Sequence, residues 1–129
     1  MFKKVLVATD FSPCAQRALE VARSHFPQAE LKVLHVVTED SPFTATEALL
    51  ELEMLVSDTW SGETGLPGHE VVPGSPTQQV VESARAWSAD LIVVGVSGQG
   101  GQGLGSVAEG VVRASAIPVL TVKAHEAGI

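Results

Sequence analysis

The feature that most constrains this chain is the strict alternation of short apolar runs with amphipathic segments. Apolar runs predict five strands, at residues 5–8, 31–37, 70–72, 91–94 and 119–122. Between them, apolar side chains recur at helical spacing, which predicts four helices. Such alternation is typical of βαβ units, in which right-handed crossovers join parallel strands. We therefore predict an α/β fold: a single doubly wound domain over residues 1–129, with a five-stranded, mainly parallel sheet in the order 3-2-1-4-5 and helices on both faces.

Residues suited to helix N-termini mark where the four helices begin. Ser12 and Ser75 each precede a proline, and both are expected to be N-caps. Thr44 and Ser106 each stand three positions before a glutamate, so both are expected to cap a helix through a capping box. The inward face of the last helix is expected to consist of Val107, Val111 and Ala114.

Composition and charge argue against several classes of function. The chain is 45% hydrophobic, which is enough for one packed core. Its formal net charge of −7 argues against nucleic-acid and membrane partners, because both attract basic surfaces. No apolar run approaches the length of a bilayer span, and the N-terminal segment lacks the pattern of a signal peptide. The single cysteine, Cys14, fits a reducing compartment, so a cytoplasmic location is expected.

Residues for dedicated catalysis are not visible in the sequence. The four histidines are scattered, and no pair of them has metal-ligand spacing. His35 alternates with apolar neighbours in the second predicted strand, so a structural role is expected for it. Neither a nucleophile elbow nor a paired general acid and base is present. We therefore expect a binding protein rather than an enzyme, with no metal site of its own.

A glycine-rich segment follows the fourth predicted strand and leads into the last helix. Residues 95–106 hold six of the twelve glycines in the chain. Glycine allows close approach to a ligand and positive φ, and a helix N-terminus attracts anions, so this segment is expected to hold phosphate. A flexible linker is the alternative interpretation, but the segment lies inside the predicted domain. The spacing of Gly98, Gly100 and Gly103 also matches a dinucleotide fingerprint, but the next predicted strand ends near Val122 and only tail residues follow it, so a mononucleotide is favoured.

Several segments, taken together, resemble the universal stress protein family. They are VLVATDFS at residues 5–12, LHVV at 34–37, GSP at 74–76, ADLIVVG at 89–95 and IPVLTV at 117–122. The nucleotide-binding branch of that family carries Gly-x-x-Gly, nine residues, and then Gly-Ser or Gly-Thr. Here Gly95-x-x-Gly98 is followed by Gly105-Ser106 after only six residues, and the loop has no lysine or arginine.

The resemblance implies a module that binds ATP, with or without magnesium, at the switch point of the sheet and acts in stress response or signalling, with at most slow ATP hydrolysis. Because the loop is three residues shorter than the family motif, a dimeric regulatory or interaction protein of the same fold that binds no nucleotide is the alternative. The resemblance also implies a homodimer joined through the last strand, Val119–Val122. The binding residues that it implies are Ala8, Thr9, Asp10, Val36, Gly95, Gly98, Gly105, Ser106 and Val107.

Overall fold

The computed structural model describes residues 2–61, 63, 65–96 and 105–124. Strands and helices alternate strictly through this part of the chain. No helix within it has the length and hydropathy needed to cross a membrane. In chain order the elements are β1 (Lys4–Ala8), α1 (Pro13–His25), β2 (Glu30–Val37), α2 (Ala45–Thr59), β3 (Gly68–Pro73), α3 (Pro76–Trp87), β4 (Leu91–Gly95), α4 (Ser106–Ala114) and β5 (Val119–Val122).

The strands form one five-stranded sheet in the order β3-β2-β1-β4-β5. Each neighbouring pair is parallel, with Ala8 opposite Leu34 and Val7 opposite Val93 across the two sides of β1. The predicted fold class and strand order are therefore confirmed. The sheet is parallel in every pairing, because each connection between neighbouring strands contains a helix that returns the chain to the same end.

Both faces of the sheet are covered by helices, as a parallel sheet requires. Val5, Leu6 and Val7 of β1 are completely inaccessible to solvent, and they divide the core into two clusters. Val5 and Val7 pack with residues of α1 and α2 on one face, including Leu19 and Leu52. On the other face Leu6 packs with residues of α3 and α4, which are Val80, Ala84, Ala108 and Val111.

Two of the predicted helix caps form the hydrogen bonds expected of them. The Ser12 hydroxyl accepts from the Ala15 N–H at 3.2 Å, at the start of α1. Thr44 and Glu47 form both bonds of a capping box at the start of α2, since each side chain accepts from the other residue's N–H. Ser75 is the N-cap residue of α3, as predicted, although its side chain makes no capping hydrogen bond.

The start of α4 differs from the prediction. Gly105 is the N-cap and Ser106 is the first helical residue, so the capping box expected from Ser106 and Glu109 does not form. Of the residues expected on the inward face, Val111 is buried as predicted, whereas Val107 and Ala114 are exposed and Ala108 is buried instead. The phase of a helix is set by the side chains that pack on its neighbours, and here Ala108 and Val111 join Leu6 in the core.

The close approach of β4 to α1 requires a glycine at position 95. A Cβ atom there would lie 2.7 Å from both the carbonyl carbon and the Cβ of Cys14, and 2.9 Å from the Ala15 nitrogen. These distances are shorter than van der Waals contact, and two of the three atoms belong to the backbone of α1. The end of β4 can therefore lie against the first turn of α1 only because residue 95 has no side chain.

We predict that Gly95→Ala lowers the free energy of unfolding by about 1–3 kcal/mol, the usual cost of overpacking. Gly68→Ala is the matched control, because a Cβ at the start of β3 would meet nothing within 4 Å and residue 68 does not need positive φ. Urea denaturation of both variants measures the difference. Equal stability of the two variants would show that α1 moves away from β4 without cost.

The strand β5 forms an edge of the sheet. The carbonyl groups of Pro118 and Val122 accept from Ile92 and Val96 of the β4 side, so alternate residues of β5 face β4. Val119 and Thr121 therefore direct their backbone groups away from the sheet. An edge of this kind can pair with another strand.

We predict that the protein is a homodimer in which β5 pairs with its copy about a two-fold axis, as the family resemblance implies. Thr121→Pro should shift the mass towards one chain, because it removes an outward N–H donor, whereas Thr121→Ala keeps that donor and should remain dimeric. Light scattering on a sizing column measures the mass. A monomeric mass for the unmodified protein at tens of micromolar would refute the prediction.

Candidate functional site

The carboxyl ends of the central strands open into one crevice with a volume of about 630 Å³. It lies where the strand order reverses, between β1 and β4, which is the position where doubly wound sheets bind their ligands. Its volume is within the range of sites for small molecules. The crevice is lined by the ends of β1, β2 and β4, by the segments that follow β1 and β2, and by the first turns of α1, α3 and α4.

Hydrogen bonds hold the turn between β1 and α1 in one geometry. The Thr9 N–H donates to the Leu34 carbonyl at 2.9 Å, and the Thr9 hydroxyl accepts from the Phe11 N–H at 3.0 Å. The Asp10 carboxylate accepts from the Ser12 N–H at 2.9 Å, as in an Asx turn. These bonds support Phe11 at φ 66°, a left-handed conformation that is uncommon for a bulky residue. The turn thus holds the exposed Asp10 at the wall of the crevice.

Aromatic rings form one wall of the crevice. The Phe11 ring lies 4.5 Å from the His35 ring and 6.0 Å from the Phe43 ring, between centroids. His35 is buried, and its Nδ1 is 2.8 Å from the Thr9 carbonyl oxygen. A carbonyl oxygen can only accept, so Nδ1 carries the hydrogen and His35 ties β2 to the turn after β1. His35 therefore holds the turn and also lines the crevice.

The N-terminus of α4 opens into the crevice from the opposite side. The Gly105 N–H donates to the Val96 carbonyl at 2.7 Å, and Gly105 has φ −70° and ψ 164°. The positive φ expected of glycines in this segment does not occur at Gly105. The N–H groups of Ser106, Val107 and Ala108 have no acceptor within the helix, and within the described part of the chain the N-cap, Gly105, gives no side-chain capping bond. This end of the helix presents N–H donors and the positive end of the helix dipole to the crevice.

The structure brings together all but one of the site residues named from the sequence. Ala8, Thr9 and Asp10 line the crevice from β1, Val36 from β2 and Gly95 from β4. Gly105, Ser106 and Val107 line it from the start of α4. Gly98 lies outside the described residues.

Sequence reasoning missed several residues that line the same crevice. They are Phe11, His35, Thr38, Asp40 and Phe43, among others. Three of them belong to the segment that follows β2, and the Ser41 N–H donates to the Thr38 carbonyl within it at 3.1 Å. The place of this segment in the sequence could have identified these residues, because it follows the carboxyl end of β2, the strand that neighbours β1.

The charged groups of the described lining are all acidic. Asp10 and Asp40 are both exposed carboxylates, and no lysine or arginine belongs to the described lining. No group of three or more histidine, cysteine or acidic side chains in the described part of the chain is placed to hold a metal ion. The crevice can therefore accept hydrogen bonds through its carboxylates and donate them through the N–H groups of α4.

The carboxylate of Asp90, at the opposite end of the sheet from the crevice, has a lowered pKa. The backbone N–H groups of Lys4 and Lys3 each donate to the Asp90 carboxylate at 2.9 Å. They hold the pKa of Asp90 below its ordinary value. This carboxylate is far from the crevice in the fold, where it joins the start of β1 to the turn before β4.

Comparison with known proteins finds relatives that match along nearly the full chain. Universal stress protein MJ0531 of Methanocaldococcus jannaschii is 34% identical over 144 residues, which cover 95% of this chain and 83% of that protein. Among solved structures, hypothetical protein MJ0577, the subject of a structure-based assignment of biochemical function, is 28% identical with a TM-score of 0.74. The match covers 98% of this chain and 99% of that one.

A universal stress protein solved in complex with cAMP is also similar, with 25% identity and a TM-score of 0.72. The match covers 96% of this chain and 99% of that chain. The family model described as the universal stress protein family matches residues 1–123. With the strand order and the crevice in place, these matches show that the chain belongs to the universal stress protein family.

Proposed function

We propose that this protein binds an adenine nucleotide in the crevice and acts as a nucleotide-dependent module in stress response or signalling. The observation that carries the proposal is the N-terminus of α4, which presents uncapped N–H groups to a crevice of nucleotide size at the switch point of the sheet. A protein of the same family, matched over nearly its full length, was solved in complex with cAMP, which contains adenosine and phosphate.

The two sides of the crevice suit the two parts of a nucleotide. The phosphates would accept from the N–H groups at the start of α4, beside Ser106 and Val107, where the helix dipole favours an anion. The adenosine would lie against Ala8, Thr9 and Val36, with the Asp10 carboxylate as an acceptor for ribose hydroxyl groups. The family resemblance adds Gly95 and Gly98 to this site and ATP as the ligand.

We propose a binding role rather than an enzymatic one. In the described lining, His35 donates to the Thr9 carbonyl through Nδ1 and its Nε2 is buried without a hydrogen-bond partner among the described residues, and the remaining ionisable side chains are the two carboxylates. No lysine or arginine of the described lining could stabilise charge that develops on a transferred phosphoryl group. Any hydrolysis of bound ATP would therefore be slow. The output of the module would be a nucleotide-dependent conformation or partnership.

The alternative function is a dimeric regulatory or interaction protein of the same fold that binds no nucleotide. It is favoured by the glycine loop, which is three residues shorter than the family motif and contains no basic residue. Nucleotide released from freshly purified protein on denaturation, identified by chromatography, separates the two functions. Calorimetric titration with adenine nucleotides is the second measurement, and no heat at ligand concentrations up to millimolar would favour the alternative.

We predict that Ser106→Asp abolishes binding of cAMP and of ATP with magnesium while leaving the fold intact. The new carboxylate would occupy the N–H groups that are proposed to hold phosphate, and an acidic residue in the first turn stabilises a helix. Thr46→Asp places the same charge in the first turn of α2, outside the lining, and should bind as the unmodified protein does. Calorimetry measures both variants. Unchanged affinity in Ser106→Asp would show that phosphate does not lie at α4.

We predict that Asp10→Ala weakens adenosine binding by about 1–3 kcal/mol, the scale of a hydrogen bond to a charged group. Because Asp10 also accepts from Ser12, this variant should lose some stability as well. Asp10→Asn keeps an acceptor for that N–H, so its melting temperature should match that of the unmodified protein. A lower melting temperature in Asp10→Ala with unchanged affinity for adenosine would assign Asp10 to the turn alone.

A further inference from the structure

We infer that the crevice selects among adenosine-containing ligands by their charge, and that Asp40 is a residue that determines this selectivity. The inference rests on the proposed function, because it concerns the same site. It states that neutral and singly charged ligands bind without a metal ion. ADP and ATP bind well only when a divalent cation compensates their phosphates.

The first observation is the sign of the charges at the crevice. Asp10 leaves the carboxyl end of β1 and Asp40 belongs to the turn after β2, and both are exposed at the lining. A compact cavity of about 630 Å³ is roughly one Debye length across at physiological salt, so screening inside it is incomplete. A ligand that fills the crevice therefore lies within the repulsive range of both carboxylates.

The second observation is where the basic side chains lie. Lys32 pairs with Glu70 at 3.0 Å, Arg113 with Glu109 at 3.1 Å, and Arg23 with Glu63. None of these three belongs to the crevice lining that the structure describes. Residues 97–104 contribute no lysine or arginine either, as their sequence shows.

The third observation is the small size of the positive charge that the start of α4 supplies to the crevice. The start of α4 supplies the equivalent of about half an elementary charge, which offsets part of the single charge of a phosphodiester and a much smaller share of the charge of a polyphosphate. Each further phosphate adds negative charge to a crevice that already holds two carboxylates, and no lysine or arginine of the described lining compensates it. A divalent cation brought by the ligand would bridge its phosphates and lower that charge.

Asp40 is the better probe of this selectivity than Asp10. Asp10 accepts from Ser12 and is a proposed contact of the ribose, so its replacement changes several interactions together. Asp40 lines the crevice from the segment that follows β2 and is not among the residues expected to contact adenosine. Its carboxylate should act on the ligand mainly through charge at a distance.

The test is calorimetric titration of the full chain with adenosine, cAMP, AMP, ADP and ATP, each in EDTA and in magnesium. Without metal, affinity should fall about fivefold for each negative charge added beyond that of cAMP, the scale of like charges across a partly solvated cleft. Magnesium should restore the affinity of ADP and ATP by about tenfold or more, on the same electrostatic grounds, and should leave adenosine unchanged. Raising the salt concentration should strengthen binding of metal-free ATP and not of adenosine.

The variant Asp40→Asn should raise the affinity for metal-free ATP by about threefold and leave adenosine binding unchanged. Asp58→Asn is the matched control, because Asp58 is an exposed carboxylate of α2 outside the crevice, and it should change neither affinity. Melting temperatures of both variants would verify that the fold is intact.

The outcomes separate the two proposals. If no ligand binds under any condition, the proposed function fails, and the selectivity fails with it. If adenosine or cAMP binds and metal-free ATP binds as tightly or more tightly, the charge selectivity is overturned while nucleotide binding stands. If the order of affinities is as expected but Asp40→Asn behaves as Asp58→Asn does, the assignment to Asp40 is overturned.

Discussion

The burial of β1 on both faces is the constraint on which the rest of this structure depends. Val5, Leu6 and Val7 have no solvent exposure, so β1 must lie inside the sheet with a partner on each side. Right-handed crossovers then place α1 and α2 on one face and α3 and α4 on the other. The segments that follow β1 and β4 leave in opposite directions, and the crevice is the space between them. The candidate site is thus a consequence of how the core is covered.

The two helix starts that meet at the crevice satisfy their backbone groups differently. At α1, the Ser12 hydroxyl caps the helix, while Thr9 and Asp10 accept from the two N–H groups of the preceding turn. That side of the crevice is therefore organised without a ligand. At α4, Gly105 has no side chain that could accept a hydrogen bond, so the first N–H groups of the helix remain available to a ligand. A bound phosphate would accept from these N–H groups and so complete the cap of α4, whereas the cap of α1 is complete without a ligand.

The residues that make this chain a member of its family differ from the residues that determine the chemistry of its crevice. The matched relatives share the fold, because it depends on apolar residues spread along the whole sequence. The charge of the crevice depends on a few side chains, such as Asp10 and Asp40. A fold by itself does not specify what is bound, and the ligand is selected by the groups that the fold brings to the site.

By itself, the sequence determined the order and type of the elements, because apolar periodicity is written locally and each strand of a buried parallel sheet is a short apolar run. Through the family resemblance it also indicated eight of the residues that line the crevice, which lie at the carboxyl ends of the central strands, just after β1 and at the start of α4. Only the tertiary structure decided the phase of α4, where Val107 turned outward and Ala108 inward, and the conformation of Gly105. It likewise decided that Asp40 and Phe43 join Asp10, because the pairing of Ala8 with Leu34 aligns the ends of β1 and β2. These outcomes depend on packing and register between residues distant in the chain, and no local pattern records those contacts.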